Sequence, residues 1–212
     1  MISIKTVINF LLIVLIVAGI ISMIFISIPY FYKNPETRFL LSKISVQHKL
    51  VWQIGFKIHV WSSIFVLIIG FLQFLNPIRI KYPEIHRILG KLYVGLVLIV
   101  SGPGGMIMGF YGNGGLYGKI SFVLSAFLWI LSTYLAYKSI KQLNIQKHVY
   151  WMSLSFGLCL SALSLRFYVL VLPFFFHLPS STMYALVAWL SWIPNLILAH
   201  YYAKKQMIMI SK

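Results

Sequence analysis

The stretch KYPEIHRILGKLYV, residues 81–94, sets Glu84, His86 and three basic side chains between apolar runs, and HVYWM, residues 148–152, sets a second imidazole at the start of another run. Neutral imidazole is the form that ligates metal or haem iron. His86 and His148 are therefore a candidate pair of axial ligands for one b-type haem, with Tyr93, Trp151 and Met152 close enough along their helices to line the pocket. Such a site needs two imidazoles at matching depth on facing helices in apolar surroundings. Arg87, Lys91 and Lys147 are placed to pair with propionates. The competing reading puts both histidines in the headgroup zone, bonded to carbonyls or lipid phosphates. A second set, His59, Gln73 and Arg166, falls inside apolar runs. Ionisable side chains there are costly and tend to mark a pathway or site. This set would line a cavity for an anionic or quinone-like substrate.

Several chemistries are excluded. The chain has no Asp, and neither Glu36 nor Glu84 lies near a candidate serine, so a Ser-His-Asp hydrolase cannot be assembled. GNGG at 112–115 reads as a turn and not as a phosphate cradle. Cys159 stands alone, which rules out an intramolecular disulfide and a thiolate cluster. No acid falls inside an apolar run, so proton coupling would have to run on histidines.

The elements that must position these residues follow from composition. The chain has 212 residues, 60% hydrophobic and 9% charged, with mean hydropathy +0.91. A soluble domain needs a charged shell that this chain lacks. Apolar runs of ~20 residues recur, which predicts an all-α, polytopic transmembrane helical bundle of about six spans, near 8–30, 52–75, 86–111, 119–140, 148–173 and 183–204. They read as a single integral membrane domain, 1–212. The first run is too long for a signal-peptide core and lacks a small-residue cleavage site, so it reads as an uncleaved span. Between the first two spans, Leu40, Leu41, Ile44, His48 and Val51 recur at helical spacing and predict a short interfacial helix within 33–51.

The net charge of +16 would suggest nucleic acid in a soluble protein, but here basic residues sit between spans, where they set topology and meet lipid headgroups. One side would hold Lys5, Arg79, Lys81, Arg87, Lys91, Lys138, Lys141, Lys147, Lys204, Lys205 and Lys212. The other would hold only Lys33, Arg38, Lys43, Lys49 and Lys119. Both termini are expected in the cytoplasm. The expected partners are membrane lipid and other membrane proteins, with no nucleic acid. Tyr30, Tyr32, Trp52, Tyr93, Tyr150 and Trp151 suit interfacial belts.

Helical spacing puts Gly55, His59, Ser62, Val66, Gly70 and Gln73 on one face. It does the same for His86, Gly90, Tyr93, Val97, Ser101 and Gly104, for Ser121, Ser125, Trp129, Ser132 and Ala136, and for His148, Met152, Ser155, Cys159, Ala162 and Arg166. Small and polar faces point into a bundle. At ~1.5 Å per residue, His86, His148 and His200 form a layer at the cytoplasmic edge, and His59 with Arg166 a layer ~10 Å in from the other side. SGPGG at 101–105 predicts a kink with close helix packing, or a broken helix at a binding site.

His59, GFLQF at 70–74, Arg79, HRILGKLY at 86–93, Trp129, HVYWM at 148–152, Arg166 and WLSWIPNL at 189–196 together resemble a bacterial family of predicted membrane proteins, domain of unknown function 2306, over about residues 52–200. The resemblance implies an integral membrane protein and brings no established reaction. Such proteins often carry an acid where this chain has His200. The leading expectation is a haem-binding electron-transfer protein of the bacterial inner membrane. The alternatives are a small transporter or lipid- or quinone-handling protein, and an assembly factor without chemistry of its own.

Overall fold

The computed structural model describes residues 4–31 and 37–210; Lys33 and Glu36 lie outside the described residues. Among the described residues all regular structure is helical. Six stretches are long and apolar enough to cross a membrane: Phe10–Tyr30, Leu50–Phe74, Pro83–Phe110, Gly115–Lys141, Ile145–Phe175 and Ser180–Ile210. The protein is a multi-pass integral membrane protein. Its residues fall into two compact units, Met1–Ile44 and Ser45–Lys212.

The first unit holds α1 (Ile4–Phe31) and α2 (Arg38–Leu41). The helix expected within 33–51 is thus a single turn, and His48 lies in the turns that follow it. Helix nucleation is unfavourable, and a segment this short gains little from propagation. Its end is closed locally: the Lys43 amide reaches the Leu40 carbonyl at 2.9 Å, and the Ser42 hydroxyl donates to the Phe39 carbonyl at 2.7 Å.

The second unit holds α3 (Leu50–Phe74), α4 (Asn76–Lys81), α5 (Pro83–Gly95), a π-helical turn (Leu96–Ser101), α6 (Gly102–Phe110), α7 (Gly115–Lys141), α8 (Ile145–Cys159), α9 (Ser161–Phe175), α10 (Ser180–Leu190) and α11 (Ile193–Ile210). Pro83 opens α5 and Glu84 sits in its first turn, where a missing amide costs nothing and the dipole favours an acid. Gly114, at φ 88°, starts α7; its backbone occupies the left-handed region that favours glycine.

The third span is one continuous helix with a widened turn. Pro103 has no amide to offer the Ile99 carbonyl, and the Gly102 amide reaches back to the Val97 carbonyl. SGPGG therefore widens the helix without interrupting it. Breaks occur instead in the fifth span, at Leu160, and in the sixth, at Ser191–Trp192. There Pro194 removes the amide that the Leu190 carbonyl would bind, and the Asn195 side chain donates to the Ser191 carbonyl at 3.1 Å.

The second and third spans pack antiparallel in a register visible at five levels. A Cβ built on Gly104 would lie 3.0 Å from the His59 amide nitrogen, and the Ser101 hydroxyl donates to Ser62 at 2.5 Å. A Cβ on Gly70 would lie 3.0 Å from the Tyr93 ring, and one on Gly90 3.5 Å from Gln73 Oε1. The fifth level, between the Ser62–Ser101 and Gly70–Tyr93 pairs, brings Val66 opposite Val97; both are fully buried.

Two of the expected belt residues are interior instead. Tyr93 is fully buried, and Trp52 is 2% exposed and stacks on Phe56 at 5.0 Å. Proximity to a span end placed them in the belt, whereas helix rotation turns both inward.

Candidate ligand site at the basic end of the bundle

Successive spans reverse direction, so the 75–82 and 142–144 connections and the end of α11 share one end of the second unit. The 111–114 and 176–179 connections share the other. The first end carries Arg79, Lys81, Arg87, Lys91, Lys138, Lys141, Lys147, Lys204 and Lys205, against Lys49 and Lys119 at the second. We call it the basic end.

His86 and His148 both lie there. The level of each is set by a bond two turns further in, where the Tyr93 and Ser155 hydroxyls meet at 2.9 Å. Each histidine precedes its member of that pair by seven residues, ~10 Å along helices that run the same way. The two imidazoles are thus level, and close enough to interact electrostatically. His148 Nδ1 donates to the Ala136 carbonyl at 3.0 Å. Since a carbonyl can only accept, Nδ1 carries the proton and Nε2 keeps the lone pair when the ring is neutral. His86 has no such anchor: its Nδ1 is buried and without a hydrogen-bond partner. Arg79 is the other group within electrostatic range of His86. Arg79 also donates to the Asn76 side chain at 2.9 Å. Gln73, from the second span, is 7% exposed, and its Nε2 too is buried without a partner.

Beneath this layer lies a closed ring of hydrogen bonds. The Thr133 hydroxyl donates to the Trp129 carbonyl at 2.7 Å. Its single proton is then committed, so Ser155 donates to Thr133 at 2.7 Å and Tyr93 donates to Ser155. Trp129 Nε1 completes the ring by donating to Tyr93 at 3.4 Å. Each side chain donates once, and all are buried. Met152 is buried on the same face of α8 as His148 and Ser155. The site therefore has a polar, fully bonded floor, not the apolar slot the haem expectation calls for.

The third histidine of this layer is used elsewhere. His200 Nδ1 meets the Tyr150 hydroxyl at 2.9 Å, an aromatic contact between α8 and α11.

Towards the other end, beyond Val66 and Val97, His59 Nδ1 donates to the Ser101 carbonyl at 2.8 Å. The Ser62 hydroxyl donates to the Ile58 carbonyl and accepts from Ser101. Gly105 makes room for the ring, since a Cβ there would lie 2.9 Å from His59 Nδ1. Arg166 donates from Nη1 to the Ala162 carbonyl at 3.1 Å and lies within electrostatic range of His59 and Tyr184. Arg166→Leu should destabilise the protein by ~1–3 kcal/mol, the range for breaking a buried polar network. Lys57→Leu, at an exposed position, should change stability by less than ~0.5 kcal/mol. Thermal unfolding of the two variants in one detergent compares them directly; equal losses would reject a structural role for Arg166.

Gln73 and His59 thus belong to different layers of the second span. The valine layer separates them: residues on one helix face can still be ~20 Å apart along the axis. The helical-face pattern missed Thr133, which lies one turn after Trp129, and the Ser164–Asn195 pair, whose side chains bond reciprocally at 2.9 and 3.1 Å between the fifth and sixth spans. Among the described residues no three His, Cys, Asp or Glu side chains come together. What the basic-end site offers is an imidazole pair and an amide.

A family model described as "Predicted membrane protein (DUF2306)" matches residues 56–203. The chain belongs to the DUF2306 family. The matched segment contains every residue of the basic-end site in this DUF2306 protein, together with His59 and Arg166. It stops short of the first unit, so that unit lies outside what the family match covers. No curated protein and no solved structure matches the chain.

Proposed function

We propose that this protein binds a lipophilic small molecule at its basic end, between the second, third and fifth spans, and so serves as a quinone- or lipid-handling protein of the membrane. One observation carries this reading: His86 Nδ1 and Gln73 Nε2 are both buried without hydrogen-bond partners, on neighbouring helices in the same layer. A buried polar group left unsatisfied costs ~1–3 kcal/mol, and two side by side make sense when a third party completes them. His148, with Nδ1 tied to Ala136, supplies a fixed ring nitrogen on the opposite wall.

A second reading is favoured by the common level of His86 and His148. In it these two imidazoles hold a single b-type haem, which would supply one-electron transfer, and Arg87, Lys91 and Lys147 meet its propionates. The polar floor of Tyr93, Ser155, Thr133 and Trp129 weighs against it. The two readings separate in one preparation. Protein purified from haem-replete cells should be colourless and should release a lipophile on solvent extraction, detected by mass spectrometry and lost in His86→Ala and Gln73→Leu. A Soret band that shifts on reduction and vanishes in His86→Ala and His148→Ala would replace the first reading with the second. Folded protein with neither would end both.

The same reading puts the basic end at the cytoplasmic face of a bacterial inner membrane, with both termini inside, supported by the asymmetry of Lys and Arg. A reporter active only in the cytoplasm should work when fused after Ile210 and stay silent at Asn113. The reverse pattern would invert the orientation.

A further inference from the structure

We infer that Gly90 is the position that admits the ligand, and that the group it admits is a hydrogen-bond-accepting oxygen on a lipophile, such as the carbonyl of a quinone or of a lipid ester. The inference rests on the ligand-binding reading above and adds which residue sets the size of the site and what chemistry the head must have.

Glycines on the inward faces of this bundle mostly serve close packing. A Cβ at Gly55 would lie 2.5 Å from Ile107 Cγ2, at Gly102 2.5 Å from Ile130 Cγ1, at Gly157 2.7 Å from Ala199 Cβ, and at Gly70 2.8 Å from the Phe156 ring. Gly90 is different. The nearest heavy atom to a Cβ there is Gln73 Oε1 at 3.5 Å, an ordinary van der Waals distance. Packing does not demand glycine at this position, and a glycine inside a helix lowers its stability relative to alanine. The amide that Gly90 meets at this distance, and the imidazole one turn away, are two unfinished polar groups. Gln73 faces Gly90 directly and is 7% exposed, with an unpartnered Nε2. His86, with its unpartnered Nδ1, is one helical turn away on the same face. An amide nitrogen only donates, so what completes Gln73 must accept. A carbonyl oxygen at Nε2 meets that requirement, reaching the amide beside Gly90, where no side chain stands in the way, with the rest of the molecule left to the apolar phase.

Gly95 is the control. It lies on the same helix with nothing within 4 Å of a built Cβ, and outside the site. The full chain, in nanodiscs of ether-linked lipid that has no ester carbonyl, is titrated by calorimetry with a short-chain benzoquinone and, separately, with a short-chain diacylglycerol. Wild type should bind one of the two saturably, and which one it binds identifies the carbonyl's source. Gly90→Leu and Gln73→Leu should each weaken that binding about tenfold or more, the scale of one lost or blocked hydrogen bond. Gly95→Leu should bind as wild type does. Gly90→Ala should melt no lower than wild type without ligand, which separates lost binding from lost fold. Wild-type affinity in Gly90→Leu would overturn the assignment of Gly90 and leave the ligand reading standing. No saturable binding of either compound by wild type would overturn the assignment together with the reading on which it rests.

Discussion

Gly104→Leu is expected to abolish the folded bundle. The second and third spans cross where Gly55 and Gly104 let their backbones approach: a Cβ at 104 would lie 3.0 Å from both the Gly55 carbonyl oxygen and the His59 amide nitrogen, and 2.8 Å from Ile58 Cγ1. Two of these three atoms are backbone, so no rotamer change relieves the clash. The helices would have to separate, carrying the His59–Ser101 and Ser62–Ser101 bonds with them. Overpacking costs ~1–3 kcal/mol where neighbours can shift. Here the neighbours are two helix backbones, and the loss should exceed that range. Size-exclusion chromatography in mild detergent should show aggregate in place of a monodisperse peak. Gly95→Leu, the same change in open space on the same span, should elute as wild type. A monodisperse Gly104→Leu protein with an unchanged melting temperature would show that the two spans do not meet at this glycine.

Tyr93→Phe should cost ~1–3 kcal/mol, because it removes the acceptor of the buried Trp129 Nε1 and breaks the ring at the bond that joins the third and fifth spans. Thr133→Val should cost less, since Tyr93 still donates to Ser155, the Ser155 proton can turn to the carbonyl four residues back in its own helix, and the Trp129 carbonyl keeps its place in the helix. Because the four side chains act as one circuit, losses should not add. Tyr93→Phe with Ser155→Ala should cost less than the two singles together, by ~0.5 kcal/mol or more. A double-mutant cycle on reversible unfolding in detergent measures the difference. Additivity within ~0.3 kcal/mol would mean the hydroxyls are independent. The same variants bear on function, because Tyr93 and Ser155 set the level of His86 against His148. A Tyr93→Phe protein that keeps its fold should bind ligand more weakly.

The sequence by itself determined the class of this protein, its six spans and the faces that turn inward. Apolar runs of membrane length leave little choice in lipid, where each backbone group must be satisfied within its own helix. The 3.6-residue period then fixes which residues share a side, so His86 with Tyr93 and Ser101, and His59 with Ser62 and Gln73, were readable from spacing alone. The family was readable from the motifs along those faces. Only the tertiary structure decided which faces meet, and at what height. Spacing makes His59, Gln73 and Arg166 look like one cavity. Val66 already stands between His59 and Gln73 along the second span; what the structure adds is that Val66 and Val97 are both fully buried where that span meets the third. Spacing also makes every inward glycine look alike, yet Gly104 meets backbone at 3.0 Å while Gly90 meets only the Gln73 side-chain oxygen at 3.5 Å. The physical reason is the same in each case. Periodicity is a property of one helix and follows from its own backbone, whereas register, contact and empty volume belong to pairs of helices. They arise from side chains distant in the chain, and no local pattern encodes them.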